Sequence, residues 1–124
     1  MAITLAATLR NNRADQITTF AGAGAKLRVY TAAYGAVLYE SVCSATLAAA
    51  ASGGVLTANA IANATATGAG TAAIARLYKS DGTTMVMEGL TVGTSGTNVV
   101  ITNTTIAVND VVTTSSMTIT EGNP

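Results

Sequence analysis

The spacing of apolar residues changes near Gly24, and this change restricts the chain to a small set of folds. Before Gly24, in TLAATLRNNRADQITTFAGAG, apolar residues recur at the 3.6-residue period of a helix. After Gly24, beginning with AKLRVYT, they alternate with polar residues at the period of a half-buried strand. The sequence therefore predicts one N-terminal helix followed by β-structure.

The helix is predicted between about residues 5 and 20, with Thr4 as its N-cap and Gly22 or Gly24 at its end. At 100° per residue, five apolar side chains fall within one arc of about 120°. These are Leu5, Ala6, Leu9, Ile17 and Phe20. Arg13 projects into the middle of that arc, so it must snorkel, pair with a carboxylate, or face another subunit. Arg13 is therefore the candidate subunit-contact residue.

Four later segments carry strand patterns: GAVLYESVCS, GGVLTANAI, TNVVIT and VVTTSSMTITEG. In the first, Val37 and Tyr39 alternate, and a bulge is expected before Val42. In the second, Leu56 alternates with its neighbours, although the preceding TLAAAASGG has helical propensity. In the last, five residues are expected to share one face: Val111, Thr113, Ser115, Met117 and Ile119.

A hairpin is predicted at Asp81-Gly82, between the alternating runs TAAIARLYKS and TTMVMEG. This dipeptide is typical of a two-residue turn that needs positive φ. The corresponding register pairs Tyr78 with Met85, Leu77 with Val86, and Arg76 with Met87.

The window from Ser41 to Ala75 contains no charged residue, and three structures explain such a window: a membrane span, a disordered linker, or strands with neutral polar outer faces. A span needs roughly 20 predominantly apolar residues, whereas the longest purely apolar run here is Leu47–Ala51. A linker is disfavoured because Val, Ile, Leu and Met recur at period two. The window is therefore predicted to form strands and loops, and no membrane association is expected.

The pattern predicts a mainly β fold: an antiparallel β-sandwich or barrel with one N-terminal α-helix. With 124 residues, one domain is expected over residues 1–124, in which 1–24 form the helix and turn and 25–124 the β-sandwich. The N-terminus lacks the pattern of a secretory signal, so synthesis in the cytoplasm is expected.

Composition predicts a protein that associates with other chains. Charged residues make up 10% of the sequence, against roughly 25% in ordinary soluble domains, and a weakly charged surface favours association. Large core formers are few, with no Trp, one Phe and four Tyr. The first 28 residues are basic and the remainder acidic, a difference that favours contact between opposite ends of neighbouring subunits. We therefore expect a homo-oligomer.

No catalytic, cofactor-binding or metal-binding residue is predicted, and the chain is not expected to be an enzyme. There is no histidine, and the single Cys43 lies in a strand-like context typical of a buried thiol. Glu40 and Glu88 are too far apart in sequence to predict a carboxylate pair. GAGAK at 22–26 lacks the spacing of a phosphate loop. Six basic residues with Tyr30 as the nearby aromatic do not predict direct nucleic-acid binding.

The whole chain resembles a family of small virion proteins of tailed bacteriophages. TLRNNRADQITTFAGAGAKLRVYTA is similar to the family's helix and first strand, and SGGVLTANAI, ATGAGTAAIARLYKSDGTTMVMEGLTVGTSG and NVVITNTTIAVNDVVTTSSMTITEGN follow its strand order. The resemblance implies a structural virion protein located in the virion. Head decoration or cement is the expected role, with the major capsid protein as partner, and a tail or neck component is the alternative. A carbohydrate-binding β-sandwich module is the rival outside this class, but it needs clustered exposed aromatics.

Overall fold

The structure, a computed structural model, describes residues 6–120. One helix, α1 (Ala7–Ala21), precedes all the strands. The strands are β1 (Lys26–Tyr30), β2 (Val37–Val42), β3 (Val55–Thr57), β4 (Ala64–Thr65), β5 (Gly70–Thr71), β6 (Ile74–Tyr78), β7 (Met85–Gly93), β8 (Val99–Ile101), β9 (Thr105–Ile106), β10 (Val111–Val112) and β11 (Thr114–Thr120). A short 3-10 helix, Ala32–Tyr34, lies between β1 and β2. The fold is mainly β, as predicted.

Seven strands form one curled sheet in the order β2-β1-β6-β7-β8-β11-β3. Two small ribbons, β10-β4 and β5-β9, complete the β-structure of the described residues. All pairs are antiparallel except β7 with β8, which run parallel. The sequence predicted antiparallel strands, and the parallel pair forms because the five residues between Gly93 and Val99 loop back and bring Val99 beside Val92 instead of forming a hairpin.

The period-two pattern after Gly24 is confirmed in β1. Leu27 and Val29 are fully buried, while Lys26 and Arg28 are partly exposed on the opposite face. Tyr30 lies on the polar face, as its position predicts, but other side chains cover it and it is also buried. The core side of the sheet is therefore continued by Ala75 and Leu77 in β6, which are fully buried.

The helix boundaries are close to those predicted, but the start differs. Ala6 is the N-cap and no side chain caps this end; Thr4 lies outside the described residues. Gly22 ends the helix at φ 70°, and its N–H donates to the carbonyl of Thr18. Glycine suits this position because the left-handed region has no Cβ penalty for it.

The predicted apolar stripe of α1 is wrong. Ala14 and Ala21 are the buried residues and Ile17 is half-buried, whereas Leu9 is 47% exposed and Phe20 51% exposed. Leu5 lies outside the described residues. Arg13 is therefore not set within a buried stripe; it is exposed, on the side of the helix that carries Leu9 and Phe20.

The hairpin between β6 and β7 is confirmed in place but not in register. Tyr78 pairs with Met85 as predicted, but Leu77 pairs with Met87. Val86 is therefore an extra residue in β7 between these two pairs and forms a bulge. Lys79 donates its N–H to the carbonyl of Thr84, so the loop is four residues long. Within it only Gly82 has positive φ. The four-residue loop is favoured over a two-residue turn because the Asp81 carboxylate accepts hydrogen bonds from the backbone N–H groups of Thr83 and Thr84.

Two bulges change which residues are buried. In β2 the extra residue is Leu38, between the pairs Val29–Tyr39 and Tyr30–Val37, so the bulge expected before Val42 is misplaced. In β11 the extra residue is Ser115. A bulge shifts the following residues to the other face, so Thr114 and Met117 are both buried and the predicted five-residue alternation is wrong.

The charge-free window forms no helix over residues 47–62, in agreement with the strand prediction. β3 is shorter than expected and ends at Thr57. Beyond it, isolated bridges join Ala58 to Ala48 and Ile61 to Cys43. The segment thus covers the free edge of β2, where Ala62 donates its N–H to the carbonyl of Val42.

Candidate interaction surfaces

The inner side of α1 is attached to the loop before β3 by hydrogen bonds as well as by an apolar cluster in which Ala14 packs with Ala51 and Leu56. Asn11 Oδ1 accepts a hydrogen bond from the N–H of Gly54 at 2.8 Å, and Asp15 Oδ1 accepts one from the N–H of Ala51 at 2.7 Å. The guanidinium of Arg10 lies so close to Gly54 that a Cβ there would be 2.7 Å from its Nη2. This close approach is compatible with only small apolar residues on the inner side, which explains why alanines are buried there.

The outer face of α1 carries Leu9, Arg13 and Phe20. At 100° per residue these three positions fall within about 40° of one another. Leu9 and Phe20 are about half exposed, and Lys79 places its Nζ 4.2 Å from the centroid of the Phe20 ring. The helix therefore presents its large apolar side chains to solvent, bordered by positive charge, which is the reverse of an ordinary surface helix.

A second exposed apolar surface lies on the turn that leads into β10. Val108 is 53% exposed and Val111 68% exposed, with the exposed Asp110 between them. We call Val108, Asp110 and Val111 the acidic turn. Its backbone is well held, since Asp110 Oδ2 accepts the N–H of Ala107 at 2.9 Å and the carbonyl of Asp110 accepts the N–H of Ala66 at 2.7 Å. The two valines are thus displayed from a hydrogen-bonded turn.

A layer of arginine and tyrosine side chains covers the polar face of the central strands. Arg28 Cζ lies 4.3 Å from the ring centroid of Tyr78, and Arg76 Cζ lies 3.8 Å from that of Tyr34 and 5.3 Å from that of Tyr30. The hydroxyls of Tyr30 and Tyr78 are 3.3 Å apart. Cation–π contacts of this kind hold the strands together across their outer face.

The register of β1 with β6 sets Arg28 directly opposite Arg76. Each arginine has its own carboxylate: Arg28 Nε donates to Glu40 at 2.7 Å, and Arg76 Nε donates to Glu88 at 3.1 Å. Lys26 adds a looser ion pair to Glu40 at 3.8 Å. Glu40 and Glu88 are therefore each engaged with arginine in different strands, an arrangement that neutralises the two adjacent guanidinium groups.

The paired tyrosines have opposite pKa shifts. Burial and the hydrogen bond with Tyr78 raise the pKa of Tyr30. The pKa of Tyr78 is lowered, first by the hydrogen bond with Tyr30 and then by Arg76. Burial lowers the pKa of Arg28, but its hydrogen bond with Glu40 and the other contacts outweigh that effect and raise it overall. The guanidinium groups of Arg28 and Arg76 therefore stay charged at any pH at which the protein remains folded.

A strained turn places Tyr34 on this layer. Ala33 and Tyr34 both have φ 56°, in the left-handed region that non-glycine residues rarely adopt. The Tyr34 hydroxyl accepts a hydrogen bond from the N–H of Gly89 at 2.8 Å, and its ring meets that of Tyr30 edge-to-face at 5.3 Å. These contacts, with Arg76, compensate the backbone strain.

Sequence reasoning missed this layer, although a signal for it exists. β1 contains Arg28-Val29-Tyr30 and β6 contains Arg76-Leu77-Tyr78, the same R-x-Y order on two strands. Residues i and i+2 of a strand share a face, so the sequence predicts an arginine beside a tyrosine on one face of each strand. Only the pairing of β1 with β6 brings these two arginine–tyrosine pairs together.

Cys43 is buried, in agreement with its sequence context, and burial raises the pKa of its thiol to about 11. A thiol of this kind is a poor nucleophile at neutral pH. Two surface clefts, of about 260 and 170 Å³, are lined largely by hydroxyl, amide and small apolar side chains.

Within residues 6–120 no group of three or more His, Cys, Asp or Glu side chains is placed to hold a metal ion. No helix in this range is long and apolar enough to cross a membrane. The chain matches no protein family model, no curated protein and no solved structure.

Proposed function

We propose that this chain is a structural virion protein of a tailed phage, most specifically a capsid decoration protein. In this role it sits on the outer shell of the head as a homo-oligomer and bridges neighbouring major capsid subunits. A place in the tail or neck is the alternative within the same class.

The structural observation that supports the proposal is the reversed orientation of α1. Leu9 and Phe20 face solvent while alanines face the sheet, so the free chain leaves its largest helical apolar groups uncovered. Such a surface is typical of a subunit that is completed by assembly. The resemblance of the whole sequence to small phage virion proteins supplies the kind of assembly.

Decoration stabilises a capsid by linkage. A protein that binds the assembled lattice but not its separated subunits shifts the equilibrium toward the lattice. Several weak contacts made by one oligomer then add through multivalency. A sequence with only 10% charged residues suits such contacts, because little charge must be desolvated when they form.

A sugar-binding module is less well supported. Tyr30, Tyr39 and Tyr78 are buried, and Tyr34 is stacked on Arg76. Among the described aromatic side chains only Phe20 is largely exposed, and a single ring next to Lys79 is not a stacking platform for a glycan.

The test is to mix the purified protein with undecorated mature capsids. We expect saturable binding at symmetric lattice positions, seen by cryo-electron microscopy, and a higher temperature for DNA release. Binding confined to the tail or neck rejects the capsid role in favour of the alternative, and no binding to any part of the virion rejects both.

A further inference from the structure

We infer that copies of this chain associate head to tail, with the outer face of α1 in one copy against the acidic turn of the next. The first surface is Leu9, Arg13 and Phe20, and the second is Val108, Asp110 and Val111. This inference concerns contacts between copies in solution and does not depend on the capsid role.

The two surfaces match in apolar character. Each carries two large apolar side chains that are about half exposed or more. Removing apolar surface from water is favourable in proportion to the area covered, so a contact that covers the exposed parts of all four side chains supplies a driving force for association. Neither surface is an irregular loop: one is a helix and the other a turn held by hydrogen bonds to Ala66 and Ala107. Little conformational entropy is therefore lost on association.

Charge decides between the possible pairings. If α1 packed on α1 of a partner through Phe20, the Lys79 ammonium groups beside the two Phe20 rings would come together, and like charges disfavour such a contact. If the acidic turn packed on itself, the two Asp110 carboxylates would meet. Only the head-to-tail pairing places Lys79, which lies beside Phe20, against Asp110. The complementary partner of each surface is therefore carried by another copy of the same chain.

The contact is not made within one chain, since all four apolar side chains are exposed. α1 packs against β3 and β7, whereas the acidic turn leads into β10, which pairs with β4 in a separate ribbon. Each copy thus exposes both surfaces, and each surface can contact a different neighbouring copy. A heterologous contact of this kind forms a closed ring if the rotation between copies closes, and a filament if it does not.

Two single substitutions test the inference. Leu9→Asp removes the apolar centre of the outer face and should not disturb the fold, because an acid in the first turn of a helix is favourable. Val108→Asn removes an apolar side chain from the acidic turn without adding a negative charge that the cations of the next copy would attract. We expect the wild type to be oligomeric by sedimentation velocity, and each variant to self-associate about tenfold or more weakly.

Mixing the two variants separates head-to-tail contact from every symmetric pairing. Leu9→Asp keeps an intact acidic turn and Val108→Asn keeps an intact outer face, so an equimolar mixture should form a 1:1 heterodimer and nothing larger. The matched controls are Thr8→Asp, exposed on the same helix but on another side, and Ser95→Asn, exposed on the turn between β7 and β8. Both should assemble like the wild type.

Three results overturn the inference. The first is a wild-type chain that stays monomeric up to about 1 mM. The second is a variant, folded by circular dichroism, that assembles as the wild type does. The third is a mixture that stays monomeric, which would mean that an intact outer face of α1 does not bind an intact acidic turn. Any of these can occur while the protein still binds capsids, so failure here is distinct from failure of the decoration role.

Discussion

At the scale of single residues, the most informative positions are the buried hydroxyls of β2 and β11. Tyr39 is the largest fully buried side chain, and its hydroxyl lies 3.3 Å from Thr114 Oγ1. Burial raises its pKa, so it stays protonated and able to donate. Two residues along β2, the Ser41 hydroxyl is also buried but has no hydrogen-bond partner among residues 6–120. We therefore expect removal of these two hydroxyls to have different effects on stability.

Substituting Tyr39 with Phe should lower the free energy of unfolding by about 1–3 kcal/mol, because Thr114 Oγ1 is left buried without a partner. Chemical denaturation measures this directly. The matched comparison is Ser41→Ala, which removes an unsatisfied hydroxyl and should leave stability equal or higher. If Tyr39→Phe is neutral, or Ser41→Ala costs as much, the hydrogen-bond assignment is wrong.

Asp81 predicts a pH dependence localised to one turn. Hydrogen bonds from the Thr84 side chain and from the N–H groups of Thr84 and Thr83 lower its pKa from 3.8 to about 2. A carboxyl whose folded pKa is depressed stabilises the fold above its unfolded pKa and loses that effect as the pH falls through the folded value. The contribution should therefore be complete above about pH 4 and gone near pH 2.

Asp81→Asn should accordingly lower the melting temperature at neutral pH, and the difference from wild type should shrink as the pH drops from 4 to 2. Ser80→Ala, in the same loop, should show no such trend. A pH-independent difference for Asp81→Asn would show that the carboxylate charge is not what organises the turn.

At the scale of elements, the turn between β1 and β2 has a strained backbone that positions the side chain of Tyr34. The left-handed conformation of Ala33 and Tyr34 costs roughly 1–2 kcal/mol per residue, yet it brings Tyr34 onto Arg76 and Gly89. The strained turn therefore adds Tyr34 to an arginine–tyrosine layer whose other contacts join Arg28 to Tyr78 and Arg76 to Tyr30.

Ala33→Gly should raise the free energy of unfolding by about 0.5–1 kcal/mol, because glycine adopts this conformation without a Cβ penalty. Ala32→Gly is the control: Ala32 is exposed in the same turn but is not in the left-handed region. There the added freedom of the unfolded chain should lower stability. Equal effects of the two glycines would contradict a strained Ala33.

The element scale also explains the error in α1. An apolar arc predicts a buried face only if the helix is held by hydrophobic packing. Here Asn11 and Asp15 fix the rotation of the helix by accepting backbone hydrogen bonds from the loop at 51–54. Charge-assisted and buried polar contacts are directional, so they help to set which side of the helix faces inward. Ala14 and Ala21 lie on that side and are buried.

At the scale of the whole molecule, the sequence was sufficient for the class of fold. The switch of period at Gly24, the glycine that ends α1 and the alternation in β1 are local properties, and each is confirmed. Burial of Cys43 also follows from local context. These predictions succeed because backbone periodicity and turn chemistry act over a few neighbouring residues.

The surfaces were less predictable because they depend on pairing between distant segments. R-x-Y in one strand says nothing about what stands opposite, and the layer exists only because β1 lies beside β6. Arg13 was singled out from its place on the helix, and its exposure on the outer face agrees with a contact role that remains to be tested. The acidic turn carried no distinguishing sequence signal.

What the sequence determined by itself is therefore the succession of one helix and many short strands, with a weakly charged exterior. The tertiary structure alone decided the bulges at Leu38 and Ser115, the parallel pairing of β7 with β8, and the outward rotation of α1. The physical reason is that register and helix rotation are set by hydrogen bonds between residues far apart in the chain. A shift of a strand by one residue exchanges its buried and exposed faces, and a rotation of a helix by 100° changes which side chains face the sheet. In both cases the local preference for strand or helix is unchanged.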